Sequence, residues 1–167
     1  LERYEDAIKN YKQAVTLDPA NGNRYYDLGF ACASSNKLAD AIKAFAKAEE
    51  LGCTPENLTQ LYHILGITCF DIGRYDDALI NLTKAEQLIG VDLEIMLRKV
   101  AVYGAKNDIR NGLITTNQIK LIAPSEFVGY NLAFKLLIQA KRLDAAAREL
   151  NIAAKYTKPS MAYYIDV

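Results

Sequence analysis

The sequence predicts an all-α fold of stacked antiparallel helix pairs, and three observations support it. Ala, Leu, Ile and Lys are abundant, whereas the 167 residues include only 4 prolines and no tryptophan, a composition that favours helix over sheet. Apolar residues recur at helical spacing rather than at strand spacing. Small and large residues also recur at a nearly constant interval along the whole chain.

Two independent residue series measure this interval. Successive small residues stand 34, 37, 34 and 34 positions apart, and successive large residues stand 37, 34, 34 and 34 apart. The longer interval falls between the same two copies in both series, an agreement that chance does not readily produce. The small series is Ala7, Ala41, Ala78, Gly112 and Ala146, and the large series is Tyr25, Tyr62, Met96, Tyr130 and Tyr164.

Each copy contains two helical patterns separated by a break. In the clearest copy, apolar residues recur at i, i+3, i+4 and i+7 from Tyr62. Ile72-Gly73-Arg74 interrupts this stripe, and a second stripe runs from Tyr75 to Gly90. The repeated unit is therefore predicted to be a helical hairpin, and neighbouring hairpins must stack because one alone cannot bury its apolar stripe.

These positions resemble the tetratricopeptide repeat (TPR) family, in which Leu-Gly marks the first helix and Ala, an aromatic and Ala mark the second. The resemblance implies a right-handed α-solenoid, a TPR superhelix of about 4.5 repeats. The matching residues are Tyr25, Leu28, Gly29, Ala41, Phe45 and Ala48 in one copy, Tyr62, Leu65, Gly66, Ala78 and Ala85 in the next, and Ala7, Tyr11, Ala14 and Pro19 in the opening half copy.

The chain is predicted to be a single array over residues 1–167. It starts without a methionine and both ends cut through the pattern, so we expect it to be an excerpt of a longer protein. The predicted parts are a half repeat that has only the second helix at 1–21, full repeats at 22–58, 59–92, 93–126 and 127–160, and the start of a further repeat or a cap at 161–167.

Individual helices can also be placed. Thr54 before Pro55 predicts an N-cap with proline at the first helical position, and Asp92 predicts a second cap. The expected helices span residues 3–17, 23–35, 38–51, 55–72, 75–90, 93–106 and 109–122. Two later copies are weaker, since Gly112, Thr115, Thr116 and Asn117 are poor helix formers and Val100 and Phe134 replace the family's glycine.

Charge and composition argue against several functional classes. Lys+Arg and Asp+Glu number 20 each, and no apolar run reaches the length of a membrane span, so we expect no nucleic-acid partner and no membrane insertion. A soluble protein is expected, with the cytoplasm favoured. Residues 1–92 carry 9 basic and 14 acidic side chains, net −5, and residues 93–167 carry 11 and 6, net +5. This asymmetry would suit head-to-tail assembly or a dipolar ligand, or it reflects scattered solvated faces.

Chemical motifs are missing from the sequence. There is no phosphate-binding glycine loop and no nucleophile elbow, and His63 is the single histidine. Cys32, Cys53 and Cys69 lack metal-site spacing, so two are expected in the core and one in a turn. We therefore expect no enzymatic activity, no cofactor and no metal.

Functional residues are expected on the first helices, which line the concave face in the TPR family. The groove positions implied by the resemblance are Asn23, Tyr26, Phe30, Ala33 and Ser34, then Gln60, His63, Ile67, Phe70 and Asp71, then Leu97, Ala101 and Ala105, and finally Asn131, Lys135, Ile138 and Gln139. Tyr26, Phe30, Ile67, Phe70 and Leu97 would form an exposed apolar stripe, which usually marks a binding site. The alternative is a helical phase wrong by one residue, with some of them packed in the core.

The expected function is a non-catalytic scaffold that binds a peptide or helical segment of an unidentified protein in this groove. The Lys and Asn pairs with which some relatives clamp a terminal carboxylate are replaced here by Tyr26, Phe30, His63 and Ile67. Two alternatives remain open, a regulatory domain of a larger enzyme or DNA-binding protein and a unit that self-assembles end to end through its truncated ends.

Overall fold

A computed structural model describes residues 2–156, and the regular structure in that range is entirely α-helical. The predicted restart of the pattern around Tyr164 lies outside the described residues. The helices are α1 (Glu2–Leu17), α2 (Gly22–Ser34), α3 (Leu38–Leu51), α4 (Pro55–Asp71), α5 (Tyr75–Ile89), α6 (Leu93–Ala105), α7 (Ile109–Ile122), α8 (Phe127–Gln139) and α9 (Leu143–Tyr156).

The predicted helix ends are confirmed to within one residue, because the capping side chains act as expected. Thr54 Oγ1 accepts a hydrogen bond from the Asn57 N–H at 3.3 Å, and Pro55 occupies the first turn of α4. Asp92 Oδ1 accepts the Ile95 N–H at 2.9 Å and starts α6. Each cap satisfies one of the backbone donors that a helix leaves unpaired at its beginning.

The four turns within hairpins share one geometry. Each contains a residue with positive φ, between 57° and 76°, two positions after the last residue of the first helix. The next residue donates its N–H to the carbonyl five positions earlier, at 2.8 Å in every turn, the pairing of a Schellman cap. The residues with positive φ are Asn36, Gly73, Asn107 and Lys141.

The described chain divides into two compact units, unit 1 (Leu1–Val91) and unit 2 (Asp92–Val167). In unit 1, small residues on the first helices allow large residues of the second helices to approach. A Cβ on Gly29 would lie 2.6 Å from Cδ1 of Phe45, and a Cβ on Gly66 would lie 2.6 Å from Cγ of Leu82. Both partner side chains are fully buried, so glycine at these two positions lets the paired helices approach closely.

Unit 2 is built around a buried cluster that includes Val100, one of the residues that replace a family glycine. The two threonines of α7 that disfavour helix are also buried, and their hydroxyls remain paired. Thr115 donates to the Asn111 carbonyl at 3.0 Å and Thr116 to the Leu113 carbonyl at 2.9 Å. Bonding to the helix's own backbone allows α7 to hold these side chains in the core.

The cysteines occupy the expected environments. Cys32 and Cys69 are buried free thiols on first helices, and Cys53 is partly buried in the connection between α3 and α4. Burial is the main cause that raises the pKa of all three thiols. They are therefore poor nucleophiles, in keeping with a packing role.

Candidate functional site

In unit 1 the predicted groove positions lie on α2 and α4. The Phe30 side chain is 49% exposed, whereas His63, Ile67 and Phe70 are half-buried. The Phe70 ring packs against the ring of Tyr75 at the start of α5, with centroids 5.8 Å apart. Gln60, Asp71 and Ser34 are exposed, and Asn23 and Ala33 are half-buried. Phe30 is therefore the large apolar group that this face presents most openly.

Tyr26 does not belong to an exposed stripe, and the expectation that it would be exposed is wrong. Its side chain is only 6% exposed, and its ring centroid lies 5.9 Å from that of Phe45. Burial, followed by the nearby charges of Asp27 and Cys53, raises the pKa of the Tyr26 hydroxyl. A helix packed between its hairpin partner and the next first helix buries a wider arc than one stripe, and Tyr26 lies within that arc.

The polar residues predicted on this face connect α2 to α4. Asn23 Oδ1 accepts hydrogen bonds from the Thr54 N–H at 3.0 Å and from Asn57 Nδ2 at 3.1 Å. The Tyr26 hydroxyl donates to Gln60 Oε1 at 2.6 Å. Asn23 and Gln60 thus hold successive repeats together, a role that their groove positions alone did not indicate.

A further polar cluster, which the sequence did not predict, joins three helices of unit 1. Glu49 Oε1 accepts hydrogen bonds from the Tyr62 hydroxyl at 2.9 Å and from Lys84 Nζ at 2.7 Å. Lys84 Nζ also lies 4.7 Å from the centre of the Tyr62 ring. The three side chains lie on α3, α4 and α5, so only the stacking of the hairpins brings them together.

The pKa values of this cluster follow from its geometry. Burial raises the pKa of Glu49, but the hydrogen bonds from Lys84 and Tyr62 outweigh burial and leave it below its ordinary value. The hydrogen bond to Glu49 raises the pKa of Lys84, whereas burial and then Glu49 raise that of Tyr62. Glu49 and Lys84 are therefore charged at neutral pH, and Tyr62 is a neutral donor.

In unit 2 the predicted positions form a more polar surface. Leu97 is half-buried and packs against the core cluster around Met96, so it contributes less apolar surface than expected. Lys135 is exposed and Asn131 is half-buried. Gln139 donates from Nε2 to the Gly104 carbonyl at 2.9 Å, which links α8 to α6. The remaining predicted positions, Ala101, Ala105 and Ile138, are exposed.

Within residues 2–156, no three His, Cys, Asp or Glu side chains form a group that could hold a metal ion. Over the same range, no helix combines the length and hydropathy needed to cross a membrane. Asn57 and Asn81 each begin an Asn-Leu-Thr sequence of the glycosylation type, but both lie in helices and donate hydrogen bonds from their side-chain amides within unit 1.

Comparisons with known proteins agree with this architecture. Residues 1–34 match the family model described as TPR repeat. YrrB, described as a TPR protein with an unusual peptide-binding site, has a TM-score of 0.79 at 19% identity, with 98% of this chain and 82% of that chain covered. MamA has a TM-score of 0.79 at 22% identity, with 96% and 90% covered. MamA from Desulfovibrio magneticus RS-1 has a TM-score of 0.76 at 16% identity, with 92% and 85% covered.

A sequence relative extends the comparison. The peroxisomal targeting signal receptor of Candida albicans (strain SC5314 / ATCC MYA-2876) is 30% identical over 94 residues, which cover 54% of this chain. The chain spans only 15% of that receptor's length. The family match and the similar proteins named here do not indicate an enzyme family. The repeat, the stacked hairpins and these similarities together show an all-α fold of the tetratricopeptide repeat type, whose family model matches residues 1–34.

Proposed function

We propose that the chain is a non-catalytic scaffold that binds a peptide or a helical segment of another protein on the face formed by its first helices. The observation that carries this proposal is the half-exposed ring of Phe30 on α2, which stands beside the inter-repeat links of Tyr26 and Asn23 without being needed to cover the core. A large apolar group beside polar side chains is typical of peptide anchoring sites.

On this proposal the neighbouring groups on α4 complete the anchoring site. Ile67 and Phe70 are half-buried, so each has a part of its apolar surface that a ligand would cover. Exposed Gln60 and Asp71 supply polar groups at the margins of that surface. The description of YrrB as having a peptide-binding site, and that of the Candida receptor as recognising a targeting signal, support a peptide as the ligand class.

In unit 2 the same proposal assigns a more polar role to the first helices. Exposed Lys135 and half-buried Asn131 lie on α8, where they would pair with polar groups of a peptide bound to that unit. Leu97 would contribute only the fraction of its side chain that the core leaves uncovered.

The experiment is a comparison of two exposed apolar residues on different helix types. Peptides selected from a display library on the full chain are measured by fluorescence anisotropy against Phe30→Ala and against Ile80→Ala, whose side chain is 54% exposed on the second-type helix α5. We expect Phe30→Ala to weaken binding at least about tenfold, as truncating a binding hot spot does, and to leave helix content unchanged by circular dichroism. An equal loss of peptide affinity in Phe30→Ala and Ile80→Ala would contradict the proposal.

Self-association is a second candidate, favoured by the opposite net charges of residues 1–92 and 93–167 and by Leu17 and Leu143, which are 84% and 64% exposed. Sedimentation velocity at low and high salt tests it, because contacts between opposite charges weaken as salt is added. A single species with the mass of one chain across the concentration range at low salt would eliminate this candidate.

A further inference from the structure

A groove of about 650 Å³ runs along α1 and is also lined by Lys37, which precedes α3. Its lining residues follow helical spacing from Glu5 through Ile8, Lys9 and Lys12 to Leu17. At a rise of about 1.5 Å per residue this is roughly 18 Å, the length of about three helical turns. Seven of the eight lining residues belong to α1 itself, so the groove is an open surface that follows this helix over about that length.

The apolar part of the groove combines a buried and an open residue. Ile8 is 3% exposed and closes the base, whereas Leu17, the last residue of α1, is 84% exposed. One exposed leucine has little effect on the free energy of folding, but beside this open surface Leu17 offers a contact for an apolar side chain of a partner.

The charge of the groove is opposite to that of the unit that carries it. Lys37 Nζ is held by Glu5 Oε2 at 2.6 Å, so that pair is neutral overall. Lys9 and Lys12 also line the groove, and within residues 2–156 their amines form neither an ion pair nor a hydrogen bond. Two lysine charges are thus uncompensated in a segment whose net charge over residues 1–92 is −5.

We propose that the α1 groove docks an acidic amphipathic helix of a partner protein, with an aliphatic residue against Leu17 and carboxylates against Lys9 and Lys12. The uncompensated lysines select for acidic groups, and the exposed Leu17 beside them suits the apolar side of an amphipathic helix. Neutralising two charges is too little for a nucleic-acid site, where affinity rests on many phosphate contacts.

Charge also argues against docking of one particular region of a second copy, the turn before α9. The turn that leads into α9 forms a hollow lined by Lys141, Arg142 and Arg148 with the single acid Asp144. That region carries the same sign of charge as the α1 groove, so seating it there would place like charges together. A partner helix rich in Glu or Asp avoids this repulsion.

The test uses a synthetic 15-residue helical peptide with leucines at i, i+3 and i+7 and glutamates elsewhere, together with the same peptide carrying lysine for glutamate. Each is titrated into the full chain and followed by amide chemical shifts. We expect the acidic peptide to shift the amides of α1, the lysine peptide to leave them unchanged, and binding of the acidic peptide to weaken about tenfold or more from 0.05 M to 0.5 M salt, because screening weakens exposed ion pairs.

Two variants with equal changes in net charge locate the contact. Lys9→Glu with Lys12→Glu should abolish the shifts, whereas Lys43→Glu with Arg110→Glu, outside the groove, should preserve them. Leu17→Asp should also abolish binding, and its exposed position makes misfolding of the variant easy to exclude by circular dichroism. Three outcomes would overturn the proposal. The acidic peptide could shift amides of α2 and α4 in place of α1, or the lysine peptide could bind equally well. The chain could also dimerise and lose that dimerisation in the Lys9/Lys12 variant.

Discussion

The hydroxyl of Tyr26 donates a 2.6 Å hydrogen bond to Oε1 of Gln60, a residue 34 positions along the chain. The repeat interval between these two copies is 37 residues, so Gln60 corresponds to Asn23, and the bond joins neighbouring first helices with an offset of three residues. The phenol ring fills the core beside Phe45 while its polar end reaches an exposed amide. Tyr26 thus contributes both packing and an inter-repeat link.

Tyr26→Phe should lower the free energy of unfolding by about 1 kcal/mol, because it removes one hydrogen bond and keeps the ring in place. Tyr26→Ala should cost about 3–5 kcal/mol, since a large cavity would replace the ring. Urea denaturation of both variants measures the two values. A double-mutant cycle with Gln60→Met isolates the bond, and strict additivity in that cycle would show that it contributes nothing.

Gly22→Ala should destabilise the protein by about 2–3 kcal/mol, although alanine is the better helix former. A Cβ at this position would lie 2.0 Å from the Gly52 carbonyl oxygen, and backbone cannot yield as a side chain can. Gly104→Ala is the matched control, because there a Cβ meets only ordinary contacts, at 3.4 Å from Leu136. We expect the control to be neutral or to stabilise by up to about 1 kcal/mol. Equal thermal denaturation midpoints for the two variants would contradict the clash.

Lys141→Gly should stabilise unit 2 by about 0.5–1 kcal/mol. Lys141 has φ 57°, a conformation that strains a side chain and costs glycine almost nothing. The reciprocal variant Gly73→Ala, at φ 76° in the equivalent turn, should destabilise by about 1 kcal/mol. Chemical denaturation of both proteins provides the measurement, and changes of the same sign would refute this account of the turns.

Acid should remove part of the stability of unit 1 through Glu49. Its pKa in the folded chain lies below the ordinary value of about 4.3, so its contribution is complete above that pH and is lost as pH falls through the folded value. The pKa of Lys84 is raised above its ordinary value of about 10.4, so the ion pair stabilises the fold until pH rises beyond that value and Lys84 loses its proton. Between these limits the contribution is constant.

Glu49→Gln should therefore cost stability at pH 7 and little at pH 3, measured by urea denaturation at both values. The side chains of Glu49 and Lys84 are 38% and 40% exposed, so solvent screening keeps the difference below about 1 kcal/mol. Glu50→Gln is the control, since Glu50 pairs with Lys47 only across an exposed turn of α3. If the stability loss of Glu50→Gln changed between pH 7 and pH 3 as much as that of Glu49→Gln, the stabilisation of the Glu49 carboxylate by Tyr62 and Lys84 would be contradicted.

The sequence predicted helix limits well because the signals for them are local. The limits of α3 and α7 match the predicted residues at both ends, and Thr54 and Asp92 cap as expected. Caps and breakers act within one turn, so the chain on either side of them is sufficient to recognise them.

The exposure of candidate site residues was harder to predict because it depends on neighbours far along the chain. Tyr26 and Phe30 are one helical turn apart on α2, yet one is buried and the other is half-exposed. Two neighbours account for the difference, because Phe45 of α3 packs against the Tyr26 ring and Gln60 of α4 accepts the hydrogen bond of its hydroxyl. Helical periodicity describes one helix, and it cannot specify how much of that helix the next repeat covers.

The common form of the hairpin turns makes the chain divisible at equivalent points. Asn36 and Gly73 have the same backbone conformation, and Lys37 and Arg74 make the same return bond after them. Joining residue 36 directly to residue 74 would thus recreate an intact turn while removing one whole hairpin's length of chain. Genetic duplication or loss at such matched junctions preserves the local geometry, so an array of this kind can change its length without inventing a new connection.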